Sequence, residues 1–574
     1  MSKRKASING DDAEPSAKLQ SISNSGDSVD YFKEHFCQNL DEKFANQLKN
    51  GPLNEAQKIR FKGIDKSHSA QYFDNGFELH WNKQGSPELP YQNVFLHKRL
   101  LKHLNGVEQN EIDSELFGII GRYVSMCCVT KSLEYMRAYC MHVLNHILRT
   151  RTIIIENQKK LDNARNNLTD ELIESTRDQG YNRPKVLILT PFKKVAYQIV
   201  DTMANLLLPN ERNYVMNSKK FEEEYGDTGE AINEKWRSSA EFKELMSGNI
   251  DDSFRIGLSL GKKAIKLFTA FENSDVIICS PLGLRMIIGE EEQESKKREF
   301  DFLSSIEVLI FDKINVLLMQ NWEHLLTIME SINSIPVNVE ADISRVRSWT
   351  LDGHGKFYRQ TIAFSEINFT ELRILFAKYD RNFAGLLNLT SLPFSRLDEI
   401  EVPIVQELHR FDCDDPEKQS DLRFDYFVRN ILLKLKTGTL IFVPSYFDYI
   451  RLRNHFKKDN ESFAQIHEYA SDAKIKKSRK AFGSHEKKLM LLTERVHFFR
   501  HIIVKGVKSV VFYQMPTNPE FYAQMINMTN EEGKIHSQVI YSNTDVIRMQ
   551  NVFGPKYTKE LFQSEKKFHA LISE

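Results

Sequence analysis

Lys185-Val-Leu-Ile-Leu-Thr190 stops at Pro191, and Val195, Ile199 and Met203 then recur on one face of a helix. A short apolar run rich in β-branched residues, with no polar alternation, reads as a strand buried on both faces. Parallel strands are buried in this way because their crossover helices cover both sides of the sheet. The unit recurs at Asp275-Val-Ile-Ile-Cys-Ser280 before Pro281, at Val308-Leu-Ile-Phe311 before Asp312, and at Gln360-Thr-Ile-Ala-Phe364 before Ser365. After a Pro-containing linker near residues 393–403 it starts again, at Thr439-Leu-Ile-Phe-Val443, Lys488-Leu-Met-Leu-Leu-Thr493 and Ser509-Val-Val-Phe-Tyr513. Two such series predict two doubly wound α/β domains with parallel sheets, over residues 111–395 and 396–574. In that architecture the chemistry sits in the turns beyond the carboxyl ends of the strands.

Upstream of the first series, Leu133, Met136, Tyr139, Cys140, Val143, Leu144 and Ile147 recur at helical spacing, which predicts a long helical stretch over roughly 112–178. Residues 31–110 are aromatic but aperiodic and punctuated by Gly51-Pro52, Gly85-Ser86-Pro87 and Pro90, so they read as an extended, irregular arm that wraps a partner or the fold. Residues 1–30 are polar, with almost no aromatics to offset the entropy of ordering, and are expected to be disordered. Lys3-Arg4-Lys5 within them is a short basic cluster of the kind found in nuclear signals.

The chain has 574 residues, 41% of them hydrophobic, with 78 Lys+Arg against 78 Asp+Glu. That balance excludes a generally basic nucleic-acid binder, and the apolar content excludes a disordered chain. The zero is nevertheless a sum of opposites. Lys220 to Asp252 contains ten acidic and four basic residues, and Arg451 to Lys508 contains fifteen basic and six acidic ones. The acidic stretch reads as an insertion in the first domain, about 209–254, suited to a basic partner. The basic stretch puts a positive face on the second domain. No uncharged apolar run is long enough for a membrane span, and no hydrophobic stretch follows the initial Met-Ser-Lys-Arg-Lys, so neither a membrane partner nor a signal peptide is expected. The six cysteines, Cys37, Cys127, Cys128, Cys140, Cys279 and Cys413, form no Cys-x-x-Cys pair and read as reduced, mostly buried thiols.

A nucleotide triphosphatase on this fold needs a Gly-rich loop ending in Gly-Lys-Ser/Thr to cradle phosphates, and an acidic pair after a strand to hold the metal and polarise water. The Gly-Lys pairs at Gly261, Gly355 and Gly533 continue with Lys, Phe and Ile, and none has Gly five positions earlier. Asp312 stands at the metal position, but Lys313 follows it and would repel a cation. Asp312 is thus a degenerate metal position, with the capping of the following turn as its plain structural role. No cofactor, metal or catalytic residue is expected.

The order of the turns resembles the core of the DEAD-box RNA helicases. Leu187-Ile-Leu-Thr-Pro-Phe-Lys-Lys-Val-Ala-Tyr-Gln-Ile199 is similar to the segment that grips the RNA backbone, and Cys279-Ser-Pro-Leu-Gly-Leu-Arg285 to the Thr-Pro-Gly-Arg segment. Leu309-Ile-Phe-Asp-Lys-Ile-Asn315 stands where Asp-Glu-Ala-Asp should be, and Thr361-Ile-Ala-Phe-Ser-Glu366 in the place of Ser-Ala-Thr. In the second domain Leu440-Ile-Phe-Val-Pro-Ser-Tyr446 matches the fourth motif and Leu491-Leu-Thr-Glu-Arg495 stands for Val-Ala-Thr-Asp. At the last motif stands Pro519-Glu-Phe-Tyr-Ala-Gln-Met-Ile-Asn527, without either arginine. A closer resemblance rests on Asn93-Val-Phe-Leu-His-Lys, Phe254-Arg-Ile-Gly-Leu-Ser-Leu260, Ser280-Pro-Leu-Gly-Leu-Arg-Met-Ile-Ile288, Leu318-Met-Gln-Asn-Trp-Glu-His324, Ile441-Phe-Val-Pro-Ser-Tyr-Phe-Asp-Tyr449 and Leu492-Thr-Glu-Arg-Val-His-Phe-Phe-Arg500. Over roughly residues 90–570 the chain is identified as similar to the digestive organ expansion factor family, DEAD-box-like small-subunit processome components associated with the U-three small nucleolar RNA. The resemblance implies two RecA-like domains with degenerate ATPase motifs. It also implies a nuclear, nucleolar place in pre-ribosomal RNA processing and 18S maturation, with processome proteins, pre-ribosomal RNA and small nucleolar RNA as direct or indirect partners.

The resulting expectation is a non-enzymatic pseudohelicase platform, its alternative an active ATP-dependent RNA helicase with divergent motifs. Lys193, Lys194, Arg285 and Arg495 are its candidate RNA contacts at the motif turns. Lys477, Arg479, Lys480 and Arg500 are the candidates in the basic stretch, where phosphates would be held through counterion release. Trp322 and Phe498-Phe499 could stack on bases, with core packing as the commoner role. His103, His142, His146 and His409 read as packing histidines, and His354 as a loop residue without a catalytic partner.

Overall fold

The computed structural model describes residues 30–49, 57–59, 68–73, 95–104, 111–131, 134–164, 168–209, 214–229, 240–289, 300–339, 341–391, 395–529 and 535–573. The expectations for residues 1–29, including the basic cluster there, and for the side chain of His103 lie outside them. Two sheets organise the chain. The first holds β1 (Gln57–Ile59), β2 (His68–Phe73), β3 (Ser125–Val129), β4 (Val186–Leu189), β5 (Val215–Met216), β6 (Arg255–Leu260), β7 (Ile265–Leu267), β8 (Val276–Cys279), β9 (Val308–Phe311), β10 (Gln360–Ser365) and β11 (Leu386–Ser391). Its order is β1-β2-β11-β3-β10-β9-β4-β8-β6-β7-β5, and the pairs from β11 through β8 are parallel. The second sheet holds β12 (Ile404–Arg410), β13 (Thr439–Val443), β14 (Phe463–Ile466), β15 (Leu489–Thr493), β16 (Ser509–Phe512), β17 (Ile535–Tyr541) and β18 (Phe568–Ser573). Its order is β14-β15-β13-β16-β17-β12-β18, parallel except for the edge strand β18. These are two RecA-like domains.

The central strands β4, β8, β9, β13 and β15 are buried at every position, as their uniformly apolar sequences require. The helix Lys193–Leu207 covers one face with Val195, Ile199, Val200, Met203 and Leu207, at the spacing of a single apolar stripe. On the other side, Ser280 caps the helix Pro281–Ile288 by accepting from the Gly283 amide, and Pro281 sets its first turn. A Cβ on Gly283 would stand 2.1 Å from the Phe254 carbonyl oxygen, so the helix reaches this depth only because the residue is glycine.

Two expectations change. The stretch 112–178 is not continuously helical: β3 lies between the helices Glu111–Ile120 and Met136–Asn163 and forms part of the parallel core. The described part of residues 31–110 is not an irregular wrap either. Helices Tyr31–Phe36 and Glu42–Leu48 pack on the first domain, and β2 extends its sheet antiparallel to β11. Asp30 caps the first of these helices and pairs with Arg149 at 2.6 Å, and the Trp349 indole donates to the Phe36 carbonyl. His35 is stacked on Phe383 with its Nε2 2.8 Å from the Tyr358 carbonyl. Aromatic area, in short, folds the arm back as part of the domain.

Beneath the amino end of β9 lies a buried polar cluster. Glu307 meets Arg347 at 2.5 Å, His146 at 3.1 Å and Lys185 at 3.3 Å, and all four side chains are at most 6% exposed. Nearby, Arg345 grips both oxygens of Asp178, at 2.8 and 2.6 Å. Burial alone would push the Glu307 carboxyl up, but Arg347, Lys185 and His146 together hold it well below the usual carboxylate range. Cys37 is exposed and the other five thiols are buried and unbridged. Among the described residues no helix is long and apolar enough to cross a membrane.

Candidate functional site

In the parallel core β3 lies beside β10, and β10 beside β9, so the loop after β3, the helix Met136–Asn163 and the end of β9 face one another at the carboxyl edge. A triphosphatase of this architecture holds phosphates and metal there. Here Asp312 is completely buried. One carboxylate oxygen accepts from the Tyr135 hydroxyl at 3.0 Å and the other from the Tyr139 hydroxyl at 2.6 Å. Tyr135 and Tyr139 are one helical turn apart, and the Tyr135 ring lies flat on Phe364, 4.0 Å between centroids. Burial pushes the Asp312 carboxyl up, against the pull of Lys313 and the two phenols. Lys313 adopts a left-handed conformation, φ 54°, and its ammonium points to Glu366 at 3.6 Å. A metal–nucleotide pair does not fit these residues: both oxygens of the lone carboxylate are engaged, a cation stands where the second acid should be, and phenol rings take the adjoining space.

The candidate RNA contacts divide into two groups. Lys193 and Lys194 begin their helix just beyond β4, but they do not face open solvent as expected. The Lys193 ammonium pairs with Asp251 at 2.8 Å, and the Lys194 ammonium donates to the Glu244 carbonyl and the Ser247 hydroxyl, both at 2.7 Å. Their backbone amides donate to the carbonyls of Asp251 and Asn249. Both lysines are therefore engaged by the acidic insertion. Arg285 and Arg495, from different domains, both lie within electrostatic reach of His324, as does Asp252. The described part of the insertion forms β5 and the helices Ser218–Tyr225 and Ala240–Leu245, with Phe221 and Tyr225 buried in the first domain.

The second group lies on the outer side of the second domain. The helix Asp472–Gly483 buries Ile475 and Phe482, which turns Lys476, Lys477 and Lys480 outward, with Arg479 half-buried. Arg500 is exposed on the same side, its guanidinium paired with Asp472 at the start of this helix. Trp322 packs edge-on against Phe369, and Phe498 against Phe242 and Phe499, so these aromatics are packing residues.

Two domain models match the chain in succession: the UTP25 NTP hydrolase-like domain over residues 122–387 and the Utp25 C-terminal domain over residues 396–571. A relative from Neurospora crassa, named U3 small nucleolar RNA-associated protein 25, is 34% identical over 92% of this chain and 72% of its own length. The chain belongs to the UTP25 family. A family member of the same name from Schizosaccharomyces pombe is 39% identical over 72% of the chain, and a Xenopus tropicalis homolog of that protein is 36% identical over 85%. The chain spans 66% of the Xenopus relative's length and 63% of the Schizosaccharomyces one's.

In this family member the described residues tie the two domains at several places. Lys131, from the loop after β3, bonds Glu520 at 2.7 Å, on the helix that stands at the last helicase motif. The Asn551 amide donates to the Asn368 carbonyl, Arg548 approaches Glu371 at 4.0 Å, and Phe242 of the insertion packs against Phe498 and His501. Tyr135, Tyr139, Glu520 and Phe242 were not expected to matter. The Tyr135/Tyr139 pair carried a usable signal, two phenols one helical turn apart at the start of the helix where a phosphate loop should end. Glu520 and Phe242 carried none, because each acts across a domain boundary that only the tertiary structure brings together.

Proposed function

We propose that the chain is a catalytically silent, helicase-like platform of the U3 small nucleolar RNA particle, serving pre-ribosomal RNA processing and small-subunit RNA maturation in the nucleolus. The observation that carries the silent half of this reading is the buried Asp312, each of whose two oxygens accepts a phenol hydroxyl, from Tyr135 and Tyr139. The placement in the particle is supported by the names of the UTP25 relatives. Processome proteins are the partners of this platform, and the outer basic helix, through Lys477, Arg479 and Lys480, contacts pre-ribosomal or small nucleolar RNA.

The rival, an ATP-driven helicase, is separated by measurement on the purified full chain. No saturable ATP binding and no RNA-stimulated hydrolysis are expected, in the unmodified chain or in Asp312→Ala. Robust turnover that Asp312→Ala abolishes would overturn the proposal. For the RNA half, reversing Lys477, Arg479 and Lys480 to glutamate should weaken binding of a short oligouridylate about tenfold or more at physiological salt. Unchanged crosslinking in that triple variant would leave a platform made of protein contacts alone.

A further inference from the structure

We propose that residues 240–252 are a built-in anionic occupant of the first domain's phosphate-gripping turn, and that they latch the two domains together while seated. The inference rests on the platform reading and adds how access to one of its surfaces is regulated. The segment reproduces what an RNA backbone would offer to Lys193 and Lys194. The Asp251 carboxylate takes one ammonium, the Glu244 carbonyl and Ser247 hydroxyl take the other, and two backbone carbonyls take the two amides at the helix start. The segment also runs close along the aliphatic stem, since a Cβ built on Gly248 would stand 3.6 Å from the Lys194 Cδ.

The same segment carries an anchor for the other domain. Phe242 is 7% exposed, its ring edge-on to Phe498 at 5.1 Å and His501 at 4.7 Å, and it clusters with Leu245 and Met246 between Phe192 of the first domain and Val496 of the second. Unseating the segment therefore removes an interdomain contact as well as the counter-charge on the lysines. Being tethered, it competes with free RNA at an effective concentration of about millimolar, so soluble RNA does not displace it at ordinary concentrations. RNA is directed instead to the outer helix, whose cations face solvent.

The test uses the full chain and a short oligouridylate. In the unmodified protein, adding the RNA should leave hydrogen exchange at the Lys193 and Lys194 amides unchanged and give only background photo-crosslinking at those lysines. In Phe242→Asp combined with Asp251→Asn, exchange over residues 240–252 should quicken and crosslinking at Lys193 and Lys194 should rise about tenfold, the gain vanishing when Lys193→Glu is added. Equal crosslinking of the two lysines in unmodified and unlatched protein would overturn the proposal, as would an unlatched segment with no gain of RNA. Should the double variant not fold, exchange in the unmodified chain decides by itself: quickening of the two amides on adding RNA contradicts a seated plug. Recovery of U3 RNA with the unmodified chain tests the platform reading separately, and its failure leaves these readouts standing.

Discussion

Glu307→Gln is expected to destabilise the first domain by about 3–5 kcal/mol, seen as a lower denaturant midpoint for that domain. The substitution keeps the shape of the side chain and removes only its charge. In the native protein that charge faces Arg347 at 2.5 Å and Lys185 at 3.3 Å, with both cations nearly excluded from water. A neutral amide leaves them buried without a counter-ion, a cost far larger than the small net worth of an intact pair. A companion variant separates charge from packing. Glu307→Gln combined with Lys185→Met removes one stranded cation and should recover part of the loss, whereas a purely steric effect would make the double variant worse. The cluster also joins the helix Met136–Asn163, through His146, to the amino end of β9. Its loss should loosen the Tyr139–Asp312 pairing at the other end of that strand, readable as faster amide exchange along β9. A stability within about 1 kcal/mol of the unmodified protein would show that the cations find other partners or water.

The strands legible in the sequence are those with uniform environments. Val186–Leu189, Val276–Cys279, Val308–Phe311 and Thr439–Val443 lie in the middle of parallel sheets, where burial on both faces leaves only apolar residues. Ser125–Val129 is equally buried, yet its Met and Cys residues are neutral in strand preference and lie between two helices, so periodicity merged it with them. The arm was illegible for a different reason. Phe32 and Phe36 show no outward pattern because they fill a hollow made by Tyr123, His146 and Trp349, which are far away in sequence. At the candidate site, the sequence already puts a lysine, Lys313, beside Asp312, where a second acid would be needed to hold a metal. What the turns could not reveal was that Lys193 and Lys194 have internal partners about fifty residues away, so that two lysines resembling an open RNA contact are in fact covered. Local motifs report which groups a turn carries, whereas occupancy depends on a distant segment of the same chain.

The neutral burial of His35, His142 and His497, offset in part by Asp380, should lower stability by about 3 kcal/mol between pH 7.5 and pH 5.5, and His97 and His501, held down to about 4 and about 3 chiefly by burial, add to the loss in the same direction. His35 and His142 are held down to about 3 and His497 to about 4, in each case chiefly by burial. Unfolded, each titrates near pH 6.5, so below that value the unfolded chain takes up protons that the native one refuses. Their contribution is complete above about pH 7.5 and is lost as the pH falls through 6.5; at pH 5.5 each costs about 1.4 kcal/mol and the three about 4. Asp380 works in the opposite direction. Burial lifts its carboxyl to about 6, against the Ser125 hydroxyl and Arg359, so the native state takes up this proton first and regains about 1 kcal/mol by pH 5.5. Glu307, held below the usual carboxylate range, adds its loss only at lower pH. Urea midpoints measured across this range, with His142→Gln and His497→Asn as controls, test the assignment. Each variant should flatten the pH dependence by about one proton's worth, His142→Gln in the first domain and His497→Asn in the second. A pH-independent midpoint, or one that rises on acidification, would mean that these rings take up protons inside the folded protein. The neutral contacts of His142 with Gln360 and of His497 with Gln524 would then be the wrong protonation states.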